Sequence, residues 1–251
     1  MKTNRTTRAW LWIPALILWA LAAPSGLAVT RTWTGTGNWH ADAGNWTGGI
    51  VPQDGDAVII DGFVVLAGST AQLTDYALNA GRTNLFIGFS TILSATNVTI
   101  NGTLTHTNNT DTSAPWVPDS RVYVSCSNLT VAAGGAINVD TRGYQGAVDT
   151  TGYGPGGGLW HVATASGAGG GYGGVGGATT GGGGGSTYGS VSAPADPGSA
   201  GGGGTGGAGG TGGGSVKVQA TGTVTVDGTI SASGAASLPP YCGGGSGGGI
   251  S

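Results

Sequence analysis

Glutamate is absent from this chain, and past residue 28 there is one lysine, Lys217. Glu and Lys are the usual residues of solvated helix faces, so little material is left for surface helices. Charged residues make up 8% of the 251, and solubility must come from hydroxyls, amides and exposed backbone. Past residue 28 the basic side chains are Arg31, Arg82, Arg121, Arg142 and Lys217, against eleven Asp, a balance of −6. A nucleic-acid partner requires a basic face, so none is expected. The three histidines, His40, His106 and His161, show no metal-ligand spacing. Without a Gly-Lys-Ser/Thr there is no P-loop, and no Gly-x-Ser-x-Gly elbow stands between a strand and a helix. A non-enzymatic protein is expected.

Long apolar runs are missing too, with one exception at the start. "MKTNRTTR" is basic, "AWLWIPALILWALAA" is apolar, and "PSGLA" offers small residues at Gly26 and Ala28. This is the layout of a secretory signal peptide over residues 1–28. The apolar run of about 15 residues is short for a membrane span of about 20. A secreted or cell-surface protein is expected, with no membrane segment once the signal is cleaved.

What the chain has in excess is glycine, 56 of 251 residues, against about 7% in ordinary proteins. Thr, Val, Ala, Ser and Asn fill much of the rest, a set that favours strands and turns. From residue 57 to 144 short β-branched runs alternate with turns: "AVII", "FVVL", "NLFIG", "TILSA", "NVTI", "TLTH", "RVYV", "NLTV" and "AINV". "TAQLTDYALNAG" (70–81) comes nearest to helical periodicity, but its Thr and Asn content argues against a helix.

One phrase recurs. Val98, Ile100 and Leu104 of "NVTINGTLTHT" match Val224, Val226 and Ile230 of "TVTVDGTISASG", and Ile137 and Val139 of "AINVD" match the first pair. The pattern is apolar–x–apolar–Asn/Asp–Gly–x–apolar. Apolar residues two apart share one face of a strand, and Asn-Gly or Asp-Gly turns the chain because both residues accept positive φ. Recurring strand–turn–strand units of this kind suit a stacked solenoid, in which each coil covers its neighbour's face. The expected fold is all-β: a parallel β-helix or β-solenoid with a long glycine-rich insertion.

The parts divide into a Trp/Gly-rich N-terminal cap at 29–56, coils at 57–144, a glycine-rich low-complexity segment at 145–214 and a further coil at 215–251. The 145–214 segment has two readings. Its composition matches a flexible linker. Glycine chains also pack as bundled extended helices where only Gly fits at the contacts. The return of the strand phrase after it favours order. The closing "GGGSGGGIS" stops where another coil would begin, so a truncated piece of a longer repeat protein is expected.

Several side chains are candidates for binding. Gly-Asn-Trp occurs twice, ending at Trp39 and Trp46; these rings either pack over the end of a sheet or form a platform on which sugars stack. Trp33, Trp116, Tyr144, Tyr153 and Trp160 extend the aromatic set. Asp54 and Asp56 are a candidate Ca²⁺ pair, against the plainer role of Asp in capping its own turn. Cys126 and Cys242 are a candidate disulfide. It would close a loop of about 115 residues and contribute roughly 4–5 kcal/mol in the chain-entropy model. Asn45, Asn97, Asn101, Asn108 and Asn128 each begin an Asn-x-Ser/Thr acceptor.

"TWTGTGNWHADAGNWTGGIVPQDGDAVIID" resembles the opening of large secreted bacterial repeat proteins with a parallel β-helix body, and is similar to the start of G8-type modules. "NLTVAAGGAINVDTRGYQG" with the glycine segment after it is similar to other stretches of such surface proteins. The resemblance implies a right-handed, pectate-lyase-like β-helix and no particular catalytic residue. It implies a structural or adhesive surface role; the rival is a carbohydrate-binding or polysaccharide-processing β-helix. The partners implied are extracellular polysaccharide or cell-surface components.

Overall fold

The computed structural model describes residues 28–237 and 241–251. The expected signal peptide, up to residue 27, lies outside the described residues.

The chain is all-β and alternates between two parallel sheets. One sheet holds β1 (Thr30–Trp33), β3 (Ala57–Ile60), β5 (Leu73–Leu78), β7 (Leu93–Ile100), β9 (Val122–Val131) and β13 (Val216–Ala220), in that order, with β14 (Val224–Val226) also on β9. The other holds β2 (Thr36–Asn38), β4 (Phe63–Leu66), β6 (Thr83–Phe86), β8 (Thr103–His106), β10 (Ala136–Asn138) and β15 (Thr229–Ser231). Every pairing within these two sheets is parallel and in register. A short antiparallel pair, β11 (Trp160–His161) and β12 (Ser166–Gly167), lies apart within the glycine-rich segment.

Period-two alternation becomes columns of buried side chains. In the first sheet Val58, Tyr76, Val98 and Leu129 stand in one column, and Ile60, Leu78, Ile100 and Val131 in the next. All eight are at most 1% exposed. Burying one such side chain is worth about 1.5–3 kcal/mol before entropy is charged. In the second sheet Leu104 and Ile137 continue the column begun by Val64 and Asn84. The buried Asn84 amide donates to the Tyr76 hydroxyl at 2.9 Å, which gives two interior polar groups a partner.

The 70–81 segment forms no helix, in line with its Thr and Asn content: Leu73–Leu78 is strand β5, with Leu73, Tyr76 and Leu78 facing the interior of a parallel sheet. Two sequence expectations change here. The phrase "AINVD" does not belong with "NVTI" and "TVTV". Ile137 pairs with Leu104 and Ile230 in the second sheet, while Leu129 and Val131 hold the place of Val98 and Ile100 in the first. The turn glycines also serve another purpose. Gly102 and Gly228 are not among the glycines of positive φ. They sit where one turn packs on another: a Cβ would lie 2.3 Å from Arg82 O at Gly102 and 2.2 Å from Gly135 O at Gly228. Close stacking of backbone, not turn geometry, requires glycine there.

The glycine-rich segment is a packed bundle rather than a free linker. Gly198, Gly201 and Gly204 donate to Gly213, Gly210 and Gly207 at 2.7, 2.9 and 3.0 Å, an antiparallel ladder stepping every third residue. Gly210 and Gly213 donate in turn to Gly243 and Ser246, both at 2.9 Å, a parallel ladder of the same step. A three-residue step is that of extended polyproline II chains. At Gly212 an added Cβ would lie 1.9 Å from Gly198 O. Backbone hydrogen bonds at this spacing replace the apolar core that the composition cannot supply.

Candidate functional site

The sequence-selected residues part company in the structure. Trp33, Trp39 and Trp46 are 0, 0 and 2% exposed. Trp39 and Trp46 meet edge to face at 4.7 Å, Trp33 and Trp46 at 5.0 Å, and Trp39 lies 6.4 Å from Tyr76, ring over ring. The Trp33 indole donates to Gly35 O and Phe63 O, and that of Trp46 to Trp39 O at 3.0 Å. The sugar-platform reading of Trp39 and Trp46 is therefore corrected: both rings are buried against each other, with Trp33 and Tyr76 beside them. Aromatic pairs contribute about 0.5–1.5 kcal/mol beyond the area they bury.

Asp54 and Asp56 likewise act on the backbone. Asp56 is buried, accepts the Val29 and Gln53 N–H groups at 3.1 and 3.0 Å, and pairs with Arg31 at 2.5 Å. Burial alone would raise its pKa; the Gln53 N–H, the Arg31 guanidinium and the Val29 N–H outweigh burial and hold it below the ordinary value. Asp54 accepts the Gln72 N–H at 2.8 Å. The two carboxylates tie turns and strands distant in sequence together through backbone N–H groups. Among the described residues no cluster of three His, Cys or Asp side chains forms a metal site.

No disulfide joins Cys126 and Cys242. Cys126 belongs to the interior of β9, whereas the Cys242 backbone lies against Gly204 in the glycine bundle. Burial pushes the Cys126 thiol above its usual pKa, which keeps it protonated and unreactive.

What the structure does bring together is on the outside. Trp116 lies 5.5 Å from Tyr144, edge to face, and 6.5 Å from Tyr153. Tyr144 is buried, while Trp116 and Tyr153 are partly exposed. The three come from the loop after β8 and the first turns of the glycine bundle, so sequence grouped them only by residue type. A shallow pocket of about 520 Å³ lies between Tyr172, Tyr188, Val191 and Pro194. Its tyrosine hydroxyls are engaged: Tyr188 donates to Pro197 O, and Tyr172 accepts the Asp196 N–H.

The outer face of the first sheet carries a polar ladder. Asn97 donates to Asp75 and Asn128 donates to Asn97, both at 2.9 Å, and Asn128 accepts the Thr223 N–H at 3.1 Å. Beside it Thr99, Thr130 and Thr225 stand in register. Asn97 and Asn128, two of the Asn-x-Thr acceptors, thus hold one another across strands. The ladder was hidden in sequence because its members are 22, 31 and 95 residues apart.

No family model, curated protein or solved structure matches this chain. Among the described residues no helix is long and apolar enough to cross a membrane.

Proposed function

We propose that this chain is a right-handed parallel β-helix, of the pectate-lyase-like kind with a G8-like lead-in, that serves as a non-enzymatic scaffold of an exported structural or adhesive surface protein. The observation that carries the reading is the unbroken parallel register from β1 to β14, continued sideways by the hydrogen-bonded glycine bundle. Such a stack transmits load through backbone hydrogen bonds and presents long, flat polar faces. The signal-like start and the sparse charge agree with export.

Limited proteolysis of the chain after signal removal, read by mass spectrometry, tests this. The scaffold predicts one resistant block spanning the coils and residues 145–214, unchanged by reductant. Cleavage throughout 145–214 would sink it. A second reading, carbohydrate binding, is favoured by the partly exposed Trp116 and Tyr153 beside the coils. Retention on immobilised polysaccharide, lost in Trp116→Ala with unfolding unchanged, would establish it.

A further inference from the structure

Five cations follow the signal segment, and the structure partners three of them. Arg31 pairs with Asp56, Arg82 pairs with Asp61 at 2.9 Å, and Arg142 donates to Asn108 Oδ1 at 2.7 Å. The other two stand together. Lys217 on β13 is directly opposite Tyr123 on β9. Its Nζ lies 4.6 Å from the centre of the Tyr123 ring, and the Arg121 guanidinium lies 4.6 Å from the same ring and 4.3 Å from that of Phe89. Neither side chain makes a hydrogen bond or an ion pair among the described residues, and Arg121 Nε is covered without an acceptor. The Tyr123 hydroxyl donates to the Gln219 side-chain oxygen, which fixes the ring and leaves the exposed Gln219 amide N–H groups facing outward.

Two like charges on one ring repel, and a buried N–H without an acceptor forfeits the hydrogen bond it made to water. Cation–π contact offsets only part of this. An acidic chain had eleven carboxylates with which to neutralise the pair and placed none there. Burial draws the Arg121 pKa down against the opposing effect of Tyr123, and no carboxylate adds to that opposition. A guanidinium fork, an ammonium and a primary amide on one rigid sheet face form a donor set without its acceptor.

We propose that Arg121, Lys217 and Gln219, arranged on the Tyr123 ring, bind an oxyanion: the carboxylate or sulfate group of an acidic polysaccharide. The polysaccharide part rests on the extracellular reading given above; the anion part does not.

The test is calorimetric titration of the chain at low ionic strength with an oligogalacturonate, a heparin oligosaccharide and a neutral cello-oligosaccharide. Binding of at least one anionic oligomer is expected, with affinity falling as salt is added and none for the neutral one. The arm that binds more tightly identifies carboxylate or sulfate. Lys217→Met, which keeps the aliphatic stem, and Arg121→Gln should each weaken binding roughly tenfold, the worth of one charge-assisted hydrogen bond. If Arg121→Gln does not fold, Lys217→Met decides alone, with its thermal unfolding as the control. No binding of either anion, or full affinity in Lys217→Met, overturns the site. A protease-resistant chain that binds nothing refutes the site and leaves the scaffold; a chain cut throughout 145–214 refutes the scaffold instead.

Discussion

His106 Nε2 accepts the backbone N–H of Ser215 at 3.0 Å, a contact across 109 residues. Ser215 is where the chain leaves the glycine bundle and re-enters the first sheet ahead of β13. The other ring nitrogen, Nδ1, lies 2.7 Å from Thr107 O, so it carries the proton and donates. The imidazole must be neutral to serve both partners.

That requirement predicts a pH dependence. Burial, aided by the Arg142 charge and opposed by the Thr107 carbonyl, lowers the His106 pKa from 6.5 to about 4. Between these values the unfolded chain binds more protons than the folded one. The stabilisation is complete above about 6.5, falls with pH down to about 4 and stays constant below, a total of about 3 kcal/mol. Urea midpoints measured from pH 7.5 to 4 should show this slope, and His106→Gln should flatten it.

The glycine bundle predicts a contrast between two alanines. Gly212→Ala forces a Cβ to 1.9 Å from Gly198 O and should destabilise by about 3 kcal/mol or more. Gly173 has nothing within 4 Å of a Cβ, so Gly173→Ala should change stability by no more than about 0.5 kcal/mol. Thermal unfolding of the two variants measures the difference.

The tryptophan cap predicts loss of fold rather than loss of binding. Trp46→Ala removes a ring packed between Trp33 and Trp39 and should cost about 3–5 kcal/mol. A variant that keeps the parent melting temperature would mean the cap contributes little.

Calcium should not stabilise the N-terminal turn. Both Asp56 oxygens and Asp54 Oδ1 already accept N–H donors. The melting temperature should be the same with millimolar calcium and with a chelator; a rise of several degrees with calcium would reinstate a metal role.

Sequence by itself marked many of the strands, though not β5, and the inward face of several. Val98 and Ile100 declare a buried side through a two-residue period, whereas Val224 and Val226 carry the same period and stand 49% and 46% exposed on β14. Sequence also marked where the chain turns from one sheet to the other, through Asn-Gly and Asp-Gly. Only the tertiary structure decided which strand lies beside which. The step between neighbouring residues of the first sheet changes from 22 to 31 to 95 as loops are inserted, so "AINVD" reads as a first-sheet strand and belongs to the second sheet. Composition alone could not separate a linker from a bundle, because glycine serves both; the distinction lies in backbone-to-backbone distance. The binding candidates divided for the same reason. Trp39 and Trp46 were conspicuous by type and are buried, while Arg121, Tyr123 and Lys217 were unremarkable in sequence and meet only because β13 pairs with β9 across the whole glycine bundle.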